Sequence, residues 1–584
     1  MTDRCWIKAL ATGVAAVLLG PLPAAQASAA PALTVRNGHT QPVFSYAGAV
    51  RERVFVEAPM DSDHDGRRDR VAVDIVRPAE PGLKVASVLK ATPYIGKNGV
   101  FSDWYDEYFV PRGYAVVEAA VQGTGESEGC PATGGRPDVL ATTAVVNWLT
   151  RRARATYPDG RAAVADWSAG AVGMVGLSYD GTLAEAAAAE GVPGLKTIVP
   201  EGAISSWYDY ARDQGVAYTG ALGDRYPEYQ ADRVISDAAR ARCGEALKAL
   251  GDDAADDAAD YTAFWAERDY RRHASRVRAS VLLAQGLNDQ KVRGRQFATW
   301  WQALAEHDVP RKLWLHDGGH EDPVLTGGDA WRETLHRWMD HWLYGLDNGI
   351  MNEPRVTVQR PDGSWQTFAD WPQPGTRDVR MWFGPATPTA AGTLRPSPSA
   401  HGGTHSFTDD PAQAETTMVA DPQTSAAHRL AYLGPPLTEA TRLSGTTRVR
   451  VRMTSTTTST PLTALLVDYG PASSQPSAAP HAETADLAPA ALTGKLPSKL
   501  PVVTRGAIDV KNRHSLTRPS PVTPGRSYTV DWRLHPTDHV FPAGHRIGLV
   551  IVANDRDYIT TDPAAGSVTV DLTHSSLTLP LVKP

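Results

Sequence analysis

Ten residues, Val172-Gly173-Met174-Val175-Gly176-Leu177-Ser178-Tyr179-Asp180-Gly181, constrain this chain more than any other stretch. An apolar run stops at a serine and an alanine-rich segment of helical character begins. The pattern reads as a buried strand, a sharp turn and a helix, with the hydroxyl of Ser178 carried on the bend. Glycines flank such a bend because a Cβ there would strike the returning chain. Gly176 occupies the usual first position, but the second glycine is Gly181, three residues after the serine, with Asp180 where it is normally found. A lone G-x-S-x-x-G also describes an ordinary strand-to-helix loop, so the flanking chain has to decide its meaning.

That chain alternates. Residues 85–91 and 114–121 are apolar runs of strand length, and Val139, Thr143, Val146 and Leu149 fall on one helical face. Strand patterns recur at 195–200, 280–286 and 312–315, the last read as the final strand of the sheet. A helix carrying Phe297, Trp300, Trp301 and Leu304 lies between the last two, and a closing helix carries Trp331, Leu335, Trp338, Met339 and Trp342 on one wide face. Strands alternating with helices predict a mostly parallel, doubly wound sheet. From 203 to 276 the alternation stops and the chain turns helical, aromatic and acidic, which is where an inserted cap over a site is expected. After Gly349 the helical period disappears, Pro, Ser and Thr rise, and short alternating runs predict an all-β domain, a sandwich or jelly roll. Residues 470–500, rich in Pro, Ala and Ser, read as a long loop.

The ends and the composition limit the remaining choices. Arg4 and Lys8, an apolar core at 9–19 and the small residues Ala25, Ala27 and Ala29 predict a secretory signal over 1–29. The parts expected are therefore the signal, a catalytic α/β domain over 31–349 with its cap at 203–276, and a β domain over 350–584. A net charge of −7 gives no basic face for nucleic acid, and the apolar core of the signal is too short to span a membrane. Cys130 and Cys243 remain after the signal is removed, and both a disulfide and two free thiols stand, since sequence gives no distance between them. Asp61, Asp63, Asp65 and Asp69 match the first half of a calcium loop, but Ala72 occupies the twelfth position where a bidentate glutamate is needed. A metal-free Asp/Gly hairpin turn is preferred there, and no cofactor is expected.

A serine becomes a nucleophile when a histidine takes its proton and a carboxylate orients that histidine. Downstream of Ser178, Asp289 follows a buried strand, although an aspartate capping the next helix explains it equally well locally. His320 closes the Gly-rich loop after the strand at 312–315. His316 is the fallback and His307 lies before that strand. The oxyanion donors expected are the backbone N–H of Tyr179 and, from the loop after the strand at 85–91, Tyr94.

Five blocks in order, Pro93-Tyr94, Gly123-Thr124-Gly125-Glu126-Ser127-Glu128-Gly129, Gly176-Leu177-Ser178-Tyr179-Asp180-Gly181, Gly286-Leu287-Asn288-Asp289 and Gly318-Gly319-His320, resemble the X-prolyl dipeptidyl aminopeptidases and their cocaine-esterase-like relatives. The resemblance spans about residues 45 to 580. It implies an α/β-hydrolase with a helical cap and a C-terminal jelly roll, Ser178, Asp289 and His320 as triad, and Tyr94 as a hydroxyl donor to the oxyanion. Ala203-Ile204-Ser205-Ser206-Trp207-Tyr208-Asp209-Tyr210 is similar to the peptidase cap entry, so Trp207 and Tyr210, with Val292, would form a flat apolar pocket for proline. Gln122 stands where esterase relatives carry an arginine before the glycine. The function implied is a secreted serine exopeptidase acting on peptides with proline second from the N-terminus. A carboxylate from Glu201, Asp209, Asp224 or Glu228 would receive the substrate's free amine. The competing readings are an esterase or acylase on the same triad, and a carbohydrate-binding or cell-wall adhesin with a vestigial hydrolase.

Overall fold

A computed structural model describes Met1 and residues 33–95, 104–219, 223, 225–255, 260–387, 389–398, 402–470, 502–559 and 566–582. The signal segment from Thr2 on, Asp224 and residues 471–500 of the Pro-rich stretch lie outside the described residues.

The strands expected from the apolar runs form one sheet. In chain order it contains β1 (Val50–Glu57), β2 (Arg70–Arg77), β3 (Val85–Thr92), β4 (Tyr114–Ala120), β5 (Ala155–Thr156), β6 (Ser168–Leu177), β7 (Leu195–Glu201), β8 (Ser280–Gly286), β9 (Arg311–His316), β10 (Val356–Gln359) and β11 (Trp365–Phe368). They lie side by side as β11-β10-β9-β8-β7-β6-β3-β4-β2-β1-β5. From β10 across to β4 every neighbour is parallel, and the strands beyond each end are antiparallel. Helices cover both faces, because strands buried on both sides need two apolar partners. On one face α1 (Arg136–Leu149), α2 (Tyr179–Ala189) and α3 (Arg295–Ala305) pack through Val145, Leu183, Trp300 and Trp301. On the other, α4 (Val324–Tyr344) packs through Trp331, Leu335, Trp338 and Met339, with Tyr105 and Phe109 beside them.

Two strands differ from expectation. The run beginning at Arg355, read from sequence as the start of the β domain, is β10, which pairs in parallel with β9, and β11 follows it antiparallel. The strand at 311–316 is therefore not the last. A short alternating run looks the same in either sheet; here Val356 and Val358 are fully buried in the core of the first sheet, and that burial assigns them to it.

The second sheet runs from Thr376 to Val582 and has twelve strands among the described residues, around its own core, which includes Val451, Leu466, Trp532 and Ile551. Its last strand, Ser567–Val582, is 16 residues long and pairs with four others, holding the sheet together along its length. Between β7 and β8 lie short helices at Trp207–Ala211, Tyr226–Val234, Asp237–Arg240, Gly244–Ala254 and Ala263–Glu267. Cys243 opens the Gly244–Ala254 helix and is bonded to Cys130, 113 residues earlier, with the two Cα atoms 5.6 Å apart. The bridge ties this helical layer to the loop before α1.

Candidate active site

Ser178 sits between β6 and α2 with φ 62° and ψ −123°, a backbone conformation that costs on the order of 1–3 kcal/mol for a residue with a side chain. The displaced glycine now has a steric reason. A Cβ on Gly181 would lie 2.4 Å from the Gly176 carbonyl oxygen, and one on Gly176 would lie 2.5 Å from the Asp180 Cβ. Position 181, not 180, is where the turn crosses the strand. Asp180 is free to carry a side chain, which reaches toward Lys90 at 3.9 Å.

Tyr179 holds the turn from the other side. As the first residue of α2, its backbone N–H has no intrahelical acceptor. Its buried hydroxyl donates to Asp138 Oδ2 at 2.5 Å and accepts from the Gly134 N–H at 2.8 Å. Asp138 is fixed in turn by Gly134 N–H and by the Gln122 side chain. Burial raises both the Tyr179 phenol and the Asp138 carboxyl above their ordinary ranges. Asp138 and Gln122 are site-supporting residues that no local sequence pattern marked; the glutamine in the place of the esterases' arginine was the one available signal.

The acid and the histidine arrive on loops that cross closely. A Cβ on Gly286 would lie 2.1 Å from the Gly319 carbonyl oxygen, and Asn288 N–H donates to Gly318 at 3.0 Å. Asp289, buried, faces His320 Nδ1 through Oδ2 at 2.7 Å. Its Oδ1 accepts from the N–H groups of Lys291 and Val292 at 2.8 and 2.7 Å, and the Gln285 amide reaches Oδ2 at 3.3 Å. Asp289 thus ties the turn at Lys291 and Val292 and also holds an imidazole; it does not cap α3, whose N-cap is Gly294. No hydrogen bond joins Ser178 Oγ to His320 among the described residues; such bonds are often long before substrate binds and tighten with it.

His316 stands elsewhere. Fully buried, it accepts the Gly318 N–H at Nδ1, and burial pushes its imidazole down to about 4. It is neutral at pH 7, and no hydrogen bond joins it to Asp289. The unfolded chain binds this proton as pH falls through about 6.5, whereas the folded chain binds it only near 4, so acidification across that window favours unfolding. The unfolding midpoint is expected to fall from pH 7 to pH 4, with His316 responsible for on the order of 3 kcal/mol. A His316→Asn variant should show a shallower fall in calorimetry; an identical slope would contradict this origin.

Tyr94 lies edge-on to Tyr179, ring centroids 6.3 Å apart. Its oxygen accepts from Gln230 Nε2 at 3.2 Å, while Gln230 Oε1 takes the Tyr226 hydroxyl at 3.2 Å, leaving the Tyr94 O–H available to donate. Around it stand Trp207, stacked on Tyr226 at 6.2 Å, and Tyr210, edge-on to both. The Trp207 N–H donates to Tyr270, whose hydroxyl donates to the Gly134 carbonyl. Trp207 and Tyr210 are 1% and 2% exposed and pack with Tyr179 and Tyr226 into one aromatic box. Val292 is fully buried in the same core. Tyr226 and Gln230 belong to this box although sequence did not single them out; their i,i+4 spacing on Tyr226–Val234 is the signal that was present.

The described amine-binding candidates have partners of their own. Glu201 receives the Tyr105 hydroxyl, Asp209 pairs with Arg271 at 2.6 Å, and Glu228 pairs with Arg225 at 2.7 Å. In the Asp61–Asp69 loop, Asp61 accepts from the N–H groups of Asp65 and Gly66, Asp63 pairs with Arg242, and Asp69 turns to Ser62.

The β domain reaches the site through Asp213, just after Tyr210. Its Oδ2 accepts from Ala507 N–H and the Tyr558 hydroxyl, each at 2.8 Å, and its Oδ1 pairs with Arg295 of α3 at 2.6 Å. One buried carboxylate therefore joins the box segment, the helix after Asp289 and the second domain.

Residues 65–322 match the family model described as X-Pro dipeptidyl-peptidase (S15 family), and residues 348–580 the model of the X-Pro dipeptidyl-peptidase C-terminal non-catalytic domain. A protein of Bacillus anthracis provisionally named an Xaa-Pro dipeptidyl-peptidase is 39% identical over 576 residues, covering 94% of this chain and 91% of the relative. The Xaa-Pro dipeptidyl-peptidase of Lacticaseibacillus paracasei is 30% identical over 632 residues, covering 93% and 78%. Among solved structures, a CocE/NonD family hydrolase from Staphylococcus aureus superposes with a TM-score of 0.68 at 15% identity, covering 92% of this chain and 98% of that one. An α-amino acid ester hydrolase superposes with 0.64 at 20%, with the same coverage. These two share the α/β-hydrolase arrangement with a C-terminal β domain.

Proposed function

From the premise that the chain belongs to the X-Pro dipeptidyl-peptidase (S15) family of serine peptidases, we propose that it releases X-Pro dipeptides from the N-termini of peptides outside the cell. Ser178 attacks the carbonyl of the proline residue, and its proton passes to His320 Nε2. Asp289 holds the imidazole in the tautomer that can accept that proton and stabilises the imidazolium formed. The N–H of Tyr179 and the O–H of Tyr94 receive the developing oxyanion. His320 then gives the proton to the departing amine, and water, activated in the same way, hydrolyses the prolyl ester. The observation that carries this reading is the 2.7 Å Asp289–His320 bond beside a serine on a strained turn.

The box of Trp207, Tyr210 and Val292 takes the proline ring, which packs between aromatic faces and needs no polar partner. The helices at 203–276 act as a cap over the site, and the twelve-strand domain is a jelly roll that braces the cap through Asp213. Residues 31–368 form the catalytic domain on this reading. No cofactor takes part, and the Asp61–Asp69 loop is held by its own hydrogen bonds. The Cys130–Cys243 bridge supports export, since disulfides persist in oxidising compartments.

Turnover of Ala-Pro-p-nitroanilide far above Leu-p-nitroanilide and p-nitrophenyl butyrate is the expected result. Preference for the butyrate ester would favour an esterase instead. Tyr94→Phe is expected to lower kcat on the anilide by about 10²–10³ with little change in KM, because the lost hydroxyl serves the transition state. A loss confined to KM would place Tyr94 in ground-state binding.

A further inference from the structure

We propose that the protein binds one zinc-type divalent cation between His39, His336 and Asp340, none of them a residue of the proposed triad. His336 and Asp340 are four residues apart on α4 and share a face. His39 comes from a two-strand hairpin, Val35–Arg36 with His39–Thr40, that docks on that helix. Each of the three offers a ligand atom within 4.8 Å of the other two. His336 Nε2 and Asp340 Oδ2 are 3.0 Å apart, and His39 Nδ1 and Asp340 Oδ2 3.8 Å. Bonds of about 2.0–2.1 Å in a tetrahedral zinc site put neighbouring ligand atoms about 3.3 Å apart, between those two separations.

The surrounding contacts point the same way. A metal-binding histidine needs a partner for its other ring nitrogen, and both have one: His39 Nε2 lies 3.5 Å from Glu333, and His336 Nδ1 3.3 Å from the Tyr108 hydroxyl. The second oxygen of Asp340 accepts from the hydroxyls of Thr40 and Tyr114 at 2.9 and 2.6 Å. Two imidazoles and one carboxylate suit zinc-type cations better than calcium or magnesium. His336 and Asp340 are buried, while His39 is partly exposed, so the cation would be reached from the His39 side, with water as its fourth ligand. In the metal-free protein His336 directs Nε2 at both Thr40 and Asp340; with the cation on Nε2, the neutral ring carries its proton on Nδ1, facing the Tyr108 hydroxyl. The bound ion would clasp the hairpin to α4.

The test uses the full chain, stripped with chelator and dialysed, titrated with Zn²⁺ in calorimetry and with Co²⁺ by visible absorption. One equivalent of each ion is expected, with tetrahedral cobalt bands and a higher unfolding midpoint. Glu333→Gln should weaken zinc binding by about 10–100-fold, and His39→Ala, which removes a ligand outright, by more. Both side chains are at least partly exposed, so the variants should fold, which circular dichroism checks. Cleavage of Ala-Pro-p-nitroanilide by stripped wild type and stripped His39→Ala should be the same. Absence of stoichiometric uptake by wild type overturns the proposal. So does unchanged affinity in His39→Ala, the result if the Asp61, Asp63 and Asp65 carboxylates were the binding groups.

Discussion

Ser178→Ala is expected to lower kcat on Ala-Pro-p-nitroanilide by roughly 10⁵–10⁶-fold while leaving the fold and substrate binding nearly intact. Loss of the nucleophile in a serine triad costs about as much as loss of the whole triad, because the remaining groups have nothing to activate. Alanine keeps the Cβ, so the strain at φ 62° is unchanged, and the half-buried hydroxyl makes no hydrogen bond among the described residues that its removal would break. The loss should therefore appear in kcat with KM little altered. Dissociation constants for Ala-Pro, the expected product, measured on both proteins would separate failed chemistry from a damaged box. Activity within tenfold of wild type would show that another residue is the nucleophile.

Asp289→Asn is expected to cost about 10⁴-fold in kcat, and by a different route. Asparagine is the same size, and its carbonyl can still accept the N–H groups of Lys291 and Val292, so the loop ahead of α3 should hold. The amide nitrogen would then face His320 Nδ1 where Asp289 Oδ2 now lies. It donates where the carboxylate accepts, so Nδ1 must give up its proton and Nε2 must carry one. An imidazole in that tautomer cannot take the serine proton. Stability close to wild type with kcat lowered by this amount is the combined result; a loss of less than tenfold would mean that Asp289 ties the turn at Lys291 and Val292 and no more.

What sequence could say about this protein followed from periodicity and local stereochemistry. The strands at 85–92, 114–120, 195–201 and 280–286 were legible because both of their faces are buried and they read as unbroken apolar runs. The strand at 356–359 was assigned to the wrong sheet, because four alternating residues do not say which neighbour they pair with. Ser178 was legible from its flanking glycines, but the reason for Gly181 needed the distance to the Gly176 carbonyl. Asp289 and His320 could be named by position after a strand; their approach depends on the Gly286–Gly319 crossing, which no single segment encodes. The Asp213 network, with Ala507 and Tyr558 from the other domain, and the Cys130–Cys243 bridge are products of tertiary packing alone. Glu201, Asp209 and Glu228 illustrate the limit most plainly. A carboxylate in a sequence shows its charge, while the arginines and tyrosine that engage these three come from elsewhere in the chain.

The measurement that bears most directly on an exopeptidase of X-Pro specificity is kcat/KM on Ala-Pro-p-nitroanilide beside its N-acetylated form, with Ser178→Ala as the blank. Rapid cleavage of the free peptide is expected, with a loss of at least about a hundredfold on acetylation, which removes the charge by which an exopeptidase reads the N-terminus, and no cleavage by the variant. Equal cleavage of the acetylated and free peptides would contradict it.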